Sequence, residues 1–433
     1  VPFNSQGAVV ARILIAGINY APECISTGKY TSEMAQWLAS RGHEVRVVTA
    51  APYYPEWKVW PGYRRWWYQR ETIAGVQVIR CPFWVPAHPN GLTRLLHLAS
   101  FGLTSLPILL ASAFWRPQLA VNIEPTKASA VGVWLCGLLS GARTWLHIQD
   151  FELDAALDLG IVKAGPLRRG AIAMERWLSR RFDRVSTISL KMRDRLASKG
   201  VAPDRQVLFP NWVDVDAIRE LDGPSPYRRE LGIADEAVVA LYSGNMGQKQ
   251  GLELLGEAAH ALSSSANLHF VFGGDGPARK PLEAVCAGLP NVHFLDLQPS
   301  ERLSEWLGLA DIHLLPQRAD VADLVMPSKL TGMLASGRVT LATAHPGTGV
   351  ALALADSGVV VPPGQPQFFV DALSELASDA TRRRRLGDAA RRQALETLSL
   401  DAILTGFERE LSTLIGLPDT AAEVTNVISQ DSV

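Results

Sequence analysis

Apolar runs at 11–18 (ARILIAGI) and 44–50 (EVRVVTA) flank a stretch, 29–41, whose apolar positions Tyr30, Met34, Trp37 and Leu38 recur at helical spacing and stop at Gly42. Strand, helix and strand in that order, within about 40 residues, predict the βαβ unit of a doubly wound parallel sheet. Short strands are predicted again at 76–80, 118–123, 143–149 and 185–188. A turn-rich interval follows at 210–226 (PNWVDVDAIRELDGPSP), and then the pattern restarts. Strands are predicted at 237–243, 268–273, 291–295, 311–315 and 339–343, with helices between them and over 367–416. The fold class is therefore α/β, with two successive Rossmann-like sheets. We divide the chain into 1–208, 209–400 and a terminal helix with a frayed tail, 401–433. Sheets of this kind hold ligands at the carboxyl ends of their strands, where loops meet helix N-termini.

One stretch breaks the rhythm. Between Arg94 and Arg116 no residue is charged, and the segment reads LLHLASFGLTSLPILLASAFW. That length reaches the threshold for a membrane span. Gly102, Pro107, His97 and four Ser/Thr dilute it, however, and a span would put residues 1–93 and 117–433 on opposite sides. Two readings remain: a buried helix pair covering the sheet, or an interfacial segment dipping into lipid. Residues 57–70 (WKVWPGYRRWWYQR) favour the second, because Arg interleaved with Trp and Tyr suits a headgroup layer. The same composition could stack on nucleic acid, but no nucleic-acid motif accompanies it, so no nucleic-acid partner is expected.

Charge sharpens the division into domains. The whole chain carries a formal net charge of −1, yet its basic residues crowd into the first half and its acidic ones into the second. Ten of the twelve Trp also precede residue 206. A basic, Trp-rich half implies an anionic partner, and an anionic inner membrane face fits. The four Cys (24, 81, 136, 286) show neither CxxC spacing nor a His cluster, which argues against a zinc site or disulfide framework. Residues 1–10 carry no recognisable secretory signal. The expected location is the cytoplasm, with peripheral attachment through 57–70 and 94–116.

Candidate chemistry lies at the strand ends. The first strand runs into GINYAPECISTGKYTSEMA, where Gly17 and Gly28 permit close backbone approach. It lacks both the GxGxxG and the GxxxxGK[ST] patterns, so nicotinamide and P-loop readings lose support. The strand TWLHIQD sets Trp145, His147 and Gln149 on one face and ends at Asp150. In the second half YSGNMGQKQGLELL surrounds Lys249 with Gly244, Gly247 and Gly251; FGGDGP supplies Gly273, Gly274 and Gly276; and MPSKLTGMLASGR supplies Pro327, Ser328 and Lys329 at a helix start. Together they predict a phosphate site built from backbone N–H groups and two Lys.

These segments, with FPNWVD (209–214) and HIQDFELDAA (147–156), resemble the family-4 retaining glycosyltransferases of GT-B fold, most of all those of exopolysaccharide assembly of the colanic-acid fucosyltransferase type. The resemblance spans 19–338. It implies two Rossmann-like domains facing a cleft, a nucleotide-diphospho-sugar donor in the C-terminal domain and an acceptor, lipid-linked or saccharide, in the N-terminal one. It also implies retention and no obligatory metal or cofactor. By the same resemblance Gly244, Asn245, Lys249 and the Pro327–Ser328–Lys329 turn would hold the diphosphate, with Gly28 closing from the other domain. Gly274 and Asp275 would lie by the nucleotide, and His147, Gln149 and Asp150 would face the transferred sugar. Two places depart from the family. Its Arg–Lys pair is replaced by Asn245 and Gln250, and its paired glutamates by Leu324 and Gly332, which leaves Asp323 or Ser328 for the sugar hydroxyls. GDP-fucose is the suggested donor. A nucleotide-sugar 2-epimerase of the same fold and a non-catalytic membrane-associated scaffold are the competing readings.

Overall fold

The computed structural model describes residues 10–23, 27–89, 91–149, 151, 166–247, 250–265, 267–318 and 329–417. The chain forms two compact units: one of residues 1–210 together with 404–433, the other of 211–403. The terminal helix, expected to stand apart, therefore divides between them, and its residues from Leu404 onward belong to the first unit.

Among the described residues the first unit is built on eight strands: β1 Arg12–Ala16, β2 Glu44–Ala50, β3 Gln69–Ile73, β4 Val76–Cys81, β5 Leu119–Ile123, β6 Arg143–Ile148, β7 Arg184–Thr187 and β8 Gln206–Leu208. Their order is β3-β4-β2-β1-β5-β6-β7-β8, and every pairing is parallel except β3 with β4. Helices α1 Thr27–Ser40, α2 Gly91–Ser112, α3 Lys127–Ser140, α4 Pro166–Ser179 and α5 Leu190–Ser198 accompany them, with the later residues of the terminal helix Leu400–Ile415. β3 reads QRETI and lies half-exposed at the sheet edge, which is why apolar periodicity does not reveal it.

Residues 94–116 do not form a helix pair. They lie in one helix, α2, continued by a 3-10 turn at Ala113–Trp115. Thr93–Trp115 is apolar and long enough to cross a membrane by length and composition, with a third of its window buried in the protein. His97, Phe101, Ser105 and Leu109 follow one another at four-residue spacing on the buried side. Leu96, Ala99, Leu103, Pro107 and Ala111 occupy the exposed side, and Phe114 just beyond is 91% exposed. Small residues let α2 and α3 meet closely: a Cβ on Gly102 would fall 2.2 Å from that of Ala128, and one on Gly132 would fall 2.7 Å from Leu109. Segment 57–70 divides likewise. Trp57 and Tyr63 pack on the core, while Trp66 and Trp67 stand 61% and 72% exposed, with the Arg65 guanidinium 4.6 Å over Trp66.

The described residues of the second unit form six parallel strands, β9 Val238–Ser243, β10 Leu268–Gly273, β11 Val292–Leu295, β12 Ile312–Leu315, β13 Val339–Thr343 and β14 Gly358–Val361, ordered β11-β10-β9-β12-β13-β14. Alternate residues of β9 enter separate cores: Val239 and Leu241 one, Val238, Ala240 and Tyr242 the other. A strand covered on both faces reads as an unbroken apolar run, as AVVALYS does.

Candidate functional site

In the second unit, adjacent strands β9 and β10 end level with each other, Ser243 opposite Gly273. The chain then turns at Gly244 with φ +124°, and at Gly274 and Gly276 with φ +139° and +147°, conformations that side chains disfavour. The two loops are tied directly. Gly244 N–H donates to the Gly273 carbonyl at 2.9 Å, Met246 N–H to Asp275 at 2.9 Å, and Ala278 N–H to Met246 at 2.9 Å. Approach is closest at Gly274, where a Cβ would lie 1.9 Å from the Gly244 carbonyl oxygen. Arg279 braces the second loop, donating to the Gly274 carbonyl at 2.9 Å and to Asp296 at 2.5 Å.

Lys329 opens the helix Lys329–Ala335 beside these loops, its Cδ 3.7 Å from where a Gly244 Cβ would stand. Its Nζ lies 4.1 Å over the ring of Tyr242 and is buried, with no hydrogen-bond partner among the described residues. Burial lowers its pKa to about 8. Among the described residues this cation meets only a ring quadrupole, and an anion is a group that would complement it. Tyr242 is held in turn by its hydroxyl, which donates to the Asn245 carbonyl at 2.7 Å, and the Asn245 residue itself is exposed.

The expected cradle of backbone donors differs in one respect. The N–H groups of Gly244 and Gly274 are spent on the carbonyls of Gly273 and Leu295, and that of Gly276 on its neighbour's Asp275 carboxylate at 2.7 Å. These glycines bring two loops together beside Lys329 rather than offering their own amides. Lys249, Asp323, Pro327 and Ser328 fall outside the described residues, as does Asp150 in the first unit.

In that unit His147 is buried on β6. Its Nδ1 lies 2.8 Å from Ser186 Oγ, which also accepts from Trp145 Nε1 at 2.8 Å, and its ring meets Phe209 at 4.9 Å. Desolvation pushes its pKa down to about 3, so the imidazole is neutral at pH 7 and acts by hydrogen bonding. Gln149 follows at the strand end, also buried. Gly28 sits in the first turn of α1, where a Cβ would come 3.0 Å from the Glu23 carbonyl. The Ser32 hydroxyl donates to the Gly28 carbonyl at 2.6 Å and accepts from Ala21 N–H at 2.6 Å.

Sequence reasoning passed over three residues here. Glu23 organises the loop before α1: one carboxylate oxygen accepts from Tyr53 and Tyr54 N–H at 2.6 and 2.7 Å, the other from Asn19 at 2.8 Å. Its burial, the largest influence, raises its pKa against those bonds. Tyr242 and Arg279 are the others. A lone acid in a loop, a strand tyrosine and a helix arginine carry no spacing signal; their roles arise only from tertiary packing.

Known proteins bear on both units. Residues 27–212 match a model described as a glycosyl transferase 4-like domain, and 225–393 one described as glycosyl transferases group 1. WcaI of Escherichia coli, a protein named for glycosyl transfer in colanic acid biosynthesis, is 44% identical over 340 residues, covering 77% of this chain and 83% of that one. Among solved structures, sucrose-phosphate synthase of Thermosynechococcus elongatus superposes with a TM-score of 0.67 at 15% identity, over 94% of this chain and 99% of the other. Anabaena Alr3699/HepE, solved in complex with UDP-glucose, gives 0.62 at 14% identity, over 93% and 100%.

Proposed function

The chain belongs to the glycosyltransferases that join a 4-like domain to a group 1 domain, in the GT-B fold of two Rossmann-like domains, and from that premise we propose that it transfers a sugar, with retention, from a nucleotide-diphospho-sugar to a lipid-linked or saccharide acceptor of cell-surface polysaccharide. The relative named for colanic acid biosynthesis supports the polysaccharide context, and the neighbour solved with UDP-glucose supports the donor class. The observation that carries the reading is the buried Lys329 ammonium, unpartnered among the described residues, beside the joined glycine loops at the ends of β9 and β10.

Cleavage of the donor leaves negative charge on the departing diphosphate. A preorganised cation in a water-poor site stabilises that charge where it develops, without reorganisation. Lys329 takes this role, so the reaction needs neither a metal ion nor a cofactor. Neutral His147, with Gln149 and Asp150, serves the transferred sugar by hydrogen bonding. No enzyme nucleophile is invoked: the departing phosphate oxygen takes the acceptor's proton as the new bond forms on the same face. The acceptor is drawn from the cytoplasmic membrane face, against which exposed Trp66, Trp67 and Phe114 would rest.

A thermal-shift panel of GDP, UDP, dTDP and ADP, each with its common sugars, tests the reading, GDP-fucose first. A ligand at 100 times its dissociation constant adds about 2.7 kcal/mol of stability. A rise selective for one base and unchanged by EDTA is expected, and no rise with any nucleotide would sink the donor site. With the donor in hand, Lys329→Ala should cut turnover at least about 100-fold, the scale of one lost oxyanion donor. Near-normal turnover removes Lys329 from the site.

A further inference from the structure

A pocket of about 910 Å³ opens in the first unit between α3 and α4, a size suited to a small-molecule ligand. It is walled by Trp134 and Trp177 and ringed by Arg169, Arg176, Arg180 and Arg181. The two indoles meet edge to face at 5.3 Å, and the Arg181 guanidinium lies over both, at 5.1 and 4.4 Å. Among the described residues none of the four arginines pairs with a carboxylate. The acid nearest in sequence, Glu175, is buried away from solvent and already holds both Lys127 and Lys199. Arg180 Nε donates to the Lys199 carbonyl at 3.4 Å, which anchors that side chain at the end of α5.

Four formal positive charges in one cavity repel one another, and surface pairing with acids is the ordinary remedy. Four guanidinium groups gathered around one cavity suit an anionic ligand. Guanidinium forks match phosphate oxygens in geometry as well as charge. The surroundings restrict the anion further. Leu138, one helical turn beyond Trp134, is 64% exposed, and Met174, three residues before Trp177, is 57% exposed. Leu139 is exposed beside them. Apolar side chains standing in water around a cationic pocket fit a ligand with a phosphate head and a hydrocarbon tail.

We propose that the Trp134–Trp177 pocket binds the head of a phosphate-bearing amphiphile, its phosphate held by Arg169, Arg176 and Arg181 and its chain resting on Leu138, Met174 and Trp177. Two sources share this chemistry, an anionic phospholipid of the bilayer and a prenyl diphosphate. The site is independent of the sugar-nucleotide reading, since none of its residues belongs to the donor loops.

Calorimetric titration with soluble short-chain ligands tests it without a bilayer. The probes are dihexanoyl phosphatidylglycerol, dihexanoyl phosphatidylcholine, farnesyl diphosphate and inorganic pyrophosphate. Phosphatidylglycerol or farnesyl diphosphate should bind, and the tighter of the two assigns the source. Arg169→Ala with Arg176→Ala should weaken that binding about 100-fold, tenfold for each charge-assisted hydrogen bond removed. Both arginines are exposed, so the thermal midpoint and the nucleotide-induced shift of the double variant should match the parent. Lys329→Ala should leave amphiphile binding intact even where it abolishes turnover. Unchanged affinity in the double variant overturns the proposal. Phosphatidylcholine binding as tightly as phosphatidylglycerol, or pyrophosphate as tightly as farnesyl diphosphate, would overturn it as well.

Discussion

Lys329 makes opposite demands on stability and on binding, and pH separates them. Its pKa in the folded protein is lowered to about 8 by burial, whereas an unfolded chain titrates near 10.4. Between those values the unfolded state holds more protons, so this residue's contribution to stability rises with pH across the window. Anion binding behaves in reverse. Above pH 8 the ligand-free lysine is increasingly neutral, and a diphosphate must first restore its proton. Affinity for the nucleotide should therefore fall up to about tenfold per pH unit above 8, while the free protein gains stability relative to Lys329→Met. Titration of both proteins from pH 7 to 10 reads both slopes, and a flat affinity profile would show that the ammonium does not meet the ligand. Nothing in the motif PSKLTG discloses this tension. The lysine is legible there as a candidate, but its depth beneath Tyr242 depends on a strand more than eighty residues earlier.

The elements show the same division between what the sequence discloses and what only packing creates. Most strands announce themselves as apolar runs, and eleven of them lie where periodicity puts them, within two residues at either end, from β1 to β13. The others differ: β3 is polar at an edge and β8 is only three residues long, whereas β14 (GVVV) is an apolar run of four residues, the length of β7, β11 and β12, so neither polarity nor length sets it apart. The glycine loops are found by composition, but their closeness is not, since it depends on β9 and β10 being neighbours in register. That closeness gives a graded test. Gly274 and Gly288 both have positive φ, +139° and +82°, yet a Cβ at Gly288 meets nothing within 4 Å. Gly288→Ala should cost about 1–2 kcal/mol of backbone strain and leave nucleotide binding alone. Gly274→Ala adds a collision with the Gly244 carbonyl. Its thermal midpoint should fall further, and its nucleotide-induced shift should vanish. Equal midpoints in the two variants would mean that the loops part at little cost.

At the scale of the molecule, the charge asymmetry and the concentration of Trp in the first half are readable from composition alone. The structure gives those tryptophans different roles. Trp145 is fully buried against Phe407, Trp57 packs on the core, and Trp66 and Trp67 stay in solvent. Composition could not separate them, because the same indole serves as core filler and as interfacial anchor. Of these four, only the exposed pair belongs to the membrane reading. Trp66→Ala with Trp67→Ala should reduce sedimentation with anionic liposomes and spare nucleotide binding; unchanged sedimentation would return these residues to an ordinary surface.

The second unit is a single stretch of chain, but the first is completed by residues from Leu404 onward. There Phe407 stacks on Phe209 at 4.9 Å, and Glu408 holds His43 at 3.1 Å and Arg41 at 3.2 Å. Order of synthesis therefore runs against order of completion. At ribosomal rates, on the order of 10–40 s separate the emergence of Phe209 from that of Phe407. During that interval the second unit acquires all of its residues, while the first waits with an aromatic face uncovered. The unit that holds the earlier strands is thus the later of the two to be finished.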